Sequence, residues 1–200
     1  MQKCLLISLA FLLLAGIPIF SEAQSEPSTA VLARELAHKL EQLSSSTVGP
    51  TASHGTVVLT EVEINAYLEE RIRESEDAGV VSLTVTLRAD EAVSIEAVVN
   101  FSAFDESKRG GALDLLSYLR GEVPVRFDGT FSGRNGVGTV SVETFTVSGL
   151  PLPPPVFREL VKSYTSNEGM PEGIDVLRAF ELPYGIAELK VEHGRIDIVQ

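Results

Sequence analysis

Apolar and polar residues alternate from Val81 to Phe101 with few interruptions. Val81, Leu83, Val85 and Leu87 are separated by Ser82, Thr84 and Thr86. After the polar turn Ala89-Asp90-Glu91, Val93, Ile95, Val99 and Phe101 resume the rhythm. Side chains of a strand point to alternate faces, so the pattern predicts two strands, Val80–Arg88 and Ala92–Ser102, each with one apolar and one wet face. Val123, Val125, Phe127 and Phe131 continue the alternation. Asn135-Gly136, a pair that tolerates positive φ, predicts a hairpin turn. The return strand, Val137 to about Gly149, changes phase: Val140 and Val142 are even, Phe145 and Val147 odd. One extra residue near Glu143–Thr144, a β-bulge, restores both groups to one face, and bulges bend sheets.

Helical spacing appears elsewhere. Leu32, Leu36, Leu40 and Leu43 predict an amphipathic helix over Ser28–Leu43, either a flexible lead-in or a docked element. Ser44 to Gly55 reads as a linker. Thr56 to Leu59 is a short β-type run. Thr60-Glu61-Val62-Glu63 then matches a capping box, and the helix it starts carries Ile64, Tyr67, Leu68 and Ile72 on one face. Seven acidic residues and two arginines stand between Thr60 and Asp77, which reads as a solvated face with local ion pairs in preference to an ion site. Asp105 to Gly111 reads as a polar loop, and Leu113, Leu116, Tyr118 and Leu119 suggest a short helix.

The prolines of Leu150-Pro151-Leu152-Pro153-Pro154-Pro155 read as a rigid lead into a helix, with a polyproline ligand as the alternative. That helix shows Val156 or Phe157, Leu160, Val161 and Tyr164 on one side. The chain closes with Leu182-Pro183-Tyr184-Gly185 and a hairpin through Glu192-His193-Gly194-Arg195. The count is five to seven strands, mostly in hairpin order with helices between. The expected class is α+β, an antiparallel sheet with helices on one face. Strands of 9–13 residues, at about 3.3 Å per residue, imply a long, strongly curved sheet.

Composition narrows the function classes. Lys3, the apolar run Cys4–Phe20 and the small residues of Ser21-Glu22-Ala23 fit a cleavable leader over 1–23. An uncleaved membrane anchor is the rival reading, disfavoured by Pro18 and the Ser-Glu-Ala site. The expected localisation is secreted or periplasmic, with a helix and linker over 24–55 and a single domain over 56–200. Beyond Cys4 there is no cysteine, which excludes disulfide stapling and thiolate metal sites. The net charge of −12 speaks against nucleic acid and against electrostatic docking to anionic membranes. It does not speak against binding a lipid by its tails or against transient membrane contact.

No familiar catalytic constellation is present. His38, His54 and His193 stand in a helix, a linker and a turn, without metal-ligand spacing. Val147-Ser148-Gly149 lacks the first glycine of a nucleophile elbow. Gly133, Gly136 and Gly138 belong to a hairpin tip, not a phosphate loop. Asn100-Phe101-Ser102 is a glycosylation sequon inside a predicted strand. The expectation is a protein without catalytic residues, metal or cofactor; oligomeric state is not legible.

Four landmarks in order carry a resemblance. They are Leu59 to Leu68, the paired alternating strands, Val147-Ser148-Gly149-Leu150-Pro151-Leu152-Pro153 before a helix, and Leu182-Pro183-Tyr184-Gly185-Ile186 before a final hairpin ending Gly194-Arg195-Ile196-Asp197-Ile198. Over Thr56–Gln200 the chain resembles bacterial lipid-binding domains of the LmeA type and YceB-like lipoproteins, which are similar to the TULIP-like superfamily. The resemblance implies an extracytoplasmic protein that holds a lipid or other hydrophobic ligand between a curved antiparallel sheet and helices on its concave face. Carried over by residue type, the apolar lining would be Val81, Leu83, Val85, Val93, Ile95, Phe101, Phe127, Phe131 and Phe145 from the sheet. Phe157, Leu160, Val161 and Tyr164 would be the helix side. The lipoprotein cysteine of the YceB-like branch is missing. The alternative is a secreted structural or interaction module whose core is filled by these same residues.

Overall fold

In the computed structural model of the chain, the described residues are 28–45, 55–74, 79–103, 120–165, 172–173 and 175–200. The leader run, His54, most of the linker, the loop Asp105–Gly111 and the short helix expected near Leu113–Leu119 lie outside them. The elements are α1 (Thr29–Ser45), β1 (Thr56–Thr60), α2 (Glu61–Glu74), β2 (Val80–Leu87), β3 (Ala92–Asn100), a 3₁₀ turn (Phe101–Ala103), β4 (Glu122–Arg134), β5 (Val137–Val147), β6 (Leu150–Pro151), α3 (Pro154–Thr165), β7 (Phe180–Glu181), β8 (Glu188–Glu192) and β9 (Arg195–Val199). The fold is α+β: nine antiparallel strands in one open sheet, with three helices. The count exceeds the expected five to seven, in part because β6 and β7 are two-residue pairings too short to leave a pattern. None of the described helices is long and apolar enough to cross a membrane.

Strand β4 is shared. Its first nine residues pair with β3, from Glu122 against Asn100 to Thr130 against Ala92. Its last three, Ser132 to Arg134, pair with β8. Its other edge is taken by β5, so β3 and β8 meet β4 end to end along one edge. The sheet forks at this point into β3–β2 on one branch and β8–β9–β1 on the other. The Phe131 N–H donates to the Glu91 carbonyl at 2.8 Å and closes the fork.

Turn chemistry sets the hairpins. Asp90 and Glu91 both take positive φ between β2 and β3, and Asn135 and Gly136 do so between β4 and β5. Along β5 the register steps from Asp128 against Thr144 to Gly129 against Val142, leaving Glu143 unpaired. The bulge required by the phase change is therefore at Glu143. Gly129 opposite it has no room for a side chain: a Cβ there would stand 2.1 Å from the Ser141 carbonyl oxygen and 2.7 Å from the Phe127 ring.

Buried side chains of the sheet and all three helices form one continuous cluster among the described residues. Helix α1 is a docked element: Ala33, Leu36, Leu40 and Leu43 are buried. It packs on α2, whose Ile64, Tyr67 and Leu68 enter the core as the helical spacing predicts. The capping box forms as expected, with the Thr60 N–H donating to Glu63 Oε2 at 2.8 Å and the Glu63 N–H donating to Thr60 Oγ1 at 3.3 Å. The proline run leads into a helix, because α3 starts at Pro154.

Candidate functional site

The alternation along β2–β5 gives the sheet an apolar inner face, and α3 lies on it. Leu83 and Val85 of β2, Val93 and Ile95 of β3, Phe127 of β4 and Phe145 of β5 are buried there. Pairing places them side by side: Val85 opposes Ile95, Ile95 opposes Phe127, and Phe127 opposes Phe145. From above, Phe157 of α3 sits between the two rings of the sheet. Its centroid is 4.9 Å from Phe127, nearly parallel at 20°, and 5.1 Å from Phe145, tilted at 56°. Such ring pairs are worth about 0.5–1.5 kcal/mol beyond their burial. Val156, Leu160 and Val161 of the same helix are buried beside it.

The remaining expected lining residues fall elsewhere. Phe101 is buried in the 3₁₀ turn after β3, not in the strand. Phe131 is buried farther along β4 and stacks on Phe180 at 6.4 Å. Val81 does not line the interior: it is 45% exposed. The register shifts between Val80 and Ser82, so Val81 is an extra residue and Val80 takes the inner position. Two adjacent valines fit either phase, and the sequence pattern chose the wrong one. The Tyr164 side chain lies outside the described residues. The Tyr67 hydroxyl is buried in the same core with no hydrogen-bond partner among the described residues, and burial pushes its pKa up.

The outer face of β3–β4 is polar and ionic. The Arg126 guanidinium donates to Glu96 at 2.6 Å and to Asp128 at 2.8 Å, and the Ser94 hydroxyl donates to Asp128 at 2.5 Å. The hydrogen bond from Arg126 holds the Asp128 carboxyl below its ordinary range. His38 and His193 are exposed on α1 and in the β8–β9 turn. Among the described residues, no group of three His, Cys, Asp or Glu side chains is placed to hold a metal ion.

A groove elsewhere on the molecule was not anticipated from the sequence. A groove of about 450 Å³ runs between α1, α2 and the outer edge of β2, walled by Leu32, Val62, Ala66, Ile72, Val81 and Leu83. That volume is within the ordinary range of ligand sites, roughly 300–1,000 Å³. The one legible signal was Val62, an apolar residue on the polar side of α2, which is 61% exposed.

Neither a known protein family nor a curated protein matches this chain. The functional reading therefore stands on the geometry of the sheet, α3 and the groove.

Proposed function

We propose that this chain is a non-catalytic binding protein that takes a lipid or other hydrophobic ligand between the inner face of a curved sheet and α3, in the manner of a TULIP-like domain. The observation that carries the reading is the apolar layer itself. Phe127, Phe145, Phe157, Leu160 and Val161 meet there from two elements. The helix reaches that layer through a jointed lead: Ser148 and Gly149 both take positive φ before the prolines. Displacing the Phe157 ring would exchange aromatic contacts for an acyl chain, whose burial is worth about 0.8 kcal/mol per CH₂. The unpartnered Tyr67 hydroxyl adds a hydrogen-bonding group inside the same core. A secreted or periplasmic place, with transient membrane contact to load or deliver the lipid, rests on the leader-like run Lys3–Ala23.

A second reading has its own support: Phe157 fills the space between Phe127 and Phe145, as in an interaction module with a closed core. One experiment separates the two. Protein purified without detergent is expected to carry lipid in native mass spectrometry, or to take up palmitate after delipidation. If both samples stay ligand-free, the closed-core reading stands.

A further inference from the structure

Among the described residues, the edge of β2 is sealed over only part of its length. Asn65 of α2 stands in for a neighbouring strand: its Nδ2 donates to the Val85 carbonyl and its Oδ1 accepts from the Val85 N–H, both at 2.8 Å. Next along the edge, Glu61 accepts from the Leu87 N–H at 2.6 Å, and the Leu87 carbonyl accepts from the Gly194 N–H at 3.1 Å. These contacts fix the direction of the backbone. Past the irregularity at Val81, Leu83, Val85 and Leu87 turn their N–H and C=O away from β3, while Thr84 and Thr86 bond to it. Leu83, opposite Ala97, therefore points its N–H and C=O outward, and it lines the groove. Among the described residues no side chain meets them as Asn65 meets Val85.

We propose that this open edge at Leu83, beside the irregularity at Val81, pairs with an extended segment of another polypeptide, which adds a short strand to the sheet in the groove beside α2. A backbone donor and acceptor presented by one residue match a single residue of an antiparallel strand; an acyl chain leaves both unmet. Val62 and Val81, both exposed, flank the opening and suit apolar side chains at every second position of the guest. Charge adds a further requirement. Glu69 lines the groove and shares Arg73 with Glu70, two carboxylates on one guanidinium, in a chain of net charge −12. The guest is thus a basic, alternating segment. A second copy of this chain fits poorly, because its own β2 edge carries α2 with it. The site is separate from the layer beneath α3 and does not rest on lipid binding there.

The test uses a fluorescein-labelled synthetic peptide of alternating valine and threonine with two terminal lysines. Fluorescence anisotropy should show saturable binding, and hydrogen exchange at the Leu83 amide should slow when the peptide binds. N-methylation of alternate peptide amides, replacement of the lysines by glutamate, and the exposed substitution Val62→Lys should each weaken binding at least tenfold, with an unchanged circular dichroism spectrum for the variant. No binding, or equal binding of the N-methylated peptide, overturns the proposal. So does palmitate that displaces the peptide and itself protects Leu83, or Val62-dependent self-association of the protein alone.

Discussion

Lys39 Nζ of α1 lies 2.5 Å from Glu63 Oε1 of α2, and the same ammonium donates to the Val58 carbonyl of β1 at 2.9 Å. One cation thus joins three elements. The Glu63 side chain is only 5% exposed, and its other oxygen accepts from the Thr60 N–H and hydroxyl. Removing Lys39 leaves a buried carboxylate short of a partner. Lys39→Ala should cost about 1–3 kcal/mol in urea unfolding, and Thr60→Ala about 1 kcal/mol.

The pH dependence of the same pair has a definite sign. Burial alone raises the Glu63 pKa, but hydrogen bonds from Lys39 and Thr60 outweigh it and the net shift is downward. A depressed folded-state pKa gives stability that is full above the unfolded value and is lost as pH falls through the folded one. Wild type should therefore lose stability more steeply than Glu63→Gln once pH drops below the ordinary value of 4.5. Urea midpoints at pH 7 and pH 3.5 check this; parallel loss in both proteins would remove Glu63 from the acid response.

Asn65→Leu keeps the bulk of the side chain and removes both bonds to Val85. The expected cost is about 2 kcal/mol for the stranded backbone groups. Because the edge of β2 is then open farther along, the variant should also aggregate faster than wild type on mild heating. Light scattering at matched unfolded fraction separates this from simple destabilisation.

Gly129→Ala drives a methyl group into the Ser141 carbonyl opposite the bulge. Overpacking of this kind should destabilise by about 1–3 kcal/mol. Deleting Glu143 should be worse, since it removes the residue that returns Phe145 and Val147 to the inner face. Both are read from the midpoint of thermal unfolding.

Phe157→Ala should destabilise by about 3–5 kcal/mol, as other large-to-small core changes do, and should leave an apolar void beside Phe127 and Phe145. If lipid enters beneath α3, palmitate should recover part of that loss. If the core is simply filled, added palmitate leaves the midpoint unchanged. Tyr67→Phe removes a buried, unpartnered hydroxyl and should raise stability by about 1 kcal/mol.

Local rules were the legible part of this chain. The phase change between Val142 and Phe145 admitted one repair, and the bulge stands at Glu143. Thr60 and Glu63 are three residues apart, within reach of a single helical turn, and they cap α2 as written. Asn135-Gly136 needs no distant information to turn. What could not be read depends on distant partners. Val80 and Val81 are both apolar, and only pairing with Val98 and Val99 decides which faces inward. The mates of Lys39, Asn65 and Glu61 lie 19 to 26 residues away on other elements. No periodicity marks the groove, because three elements with ordinary patterns meet there. The apolar residues expected on the inner face are mostly buried on it. Whether a ligand shares that face depends on a void, and sequence patterns do not encode voids.

The pairing of β1 with β9 orders events in time as well as space. Thr56 lies against Val199, and Gln200 donates to the Leu43 carbonyl at 2.8 Å near the end of α1. On a ribosome, α1 and β1 emerge before β9 and wait for that partner strand. Until Val199 appears, β1 has no strand to join, and the end of α1 lacks its tie to Gln200. The branch of the sheet built on β1 therefore cannot close until β9 has emerged.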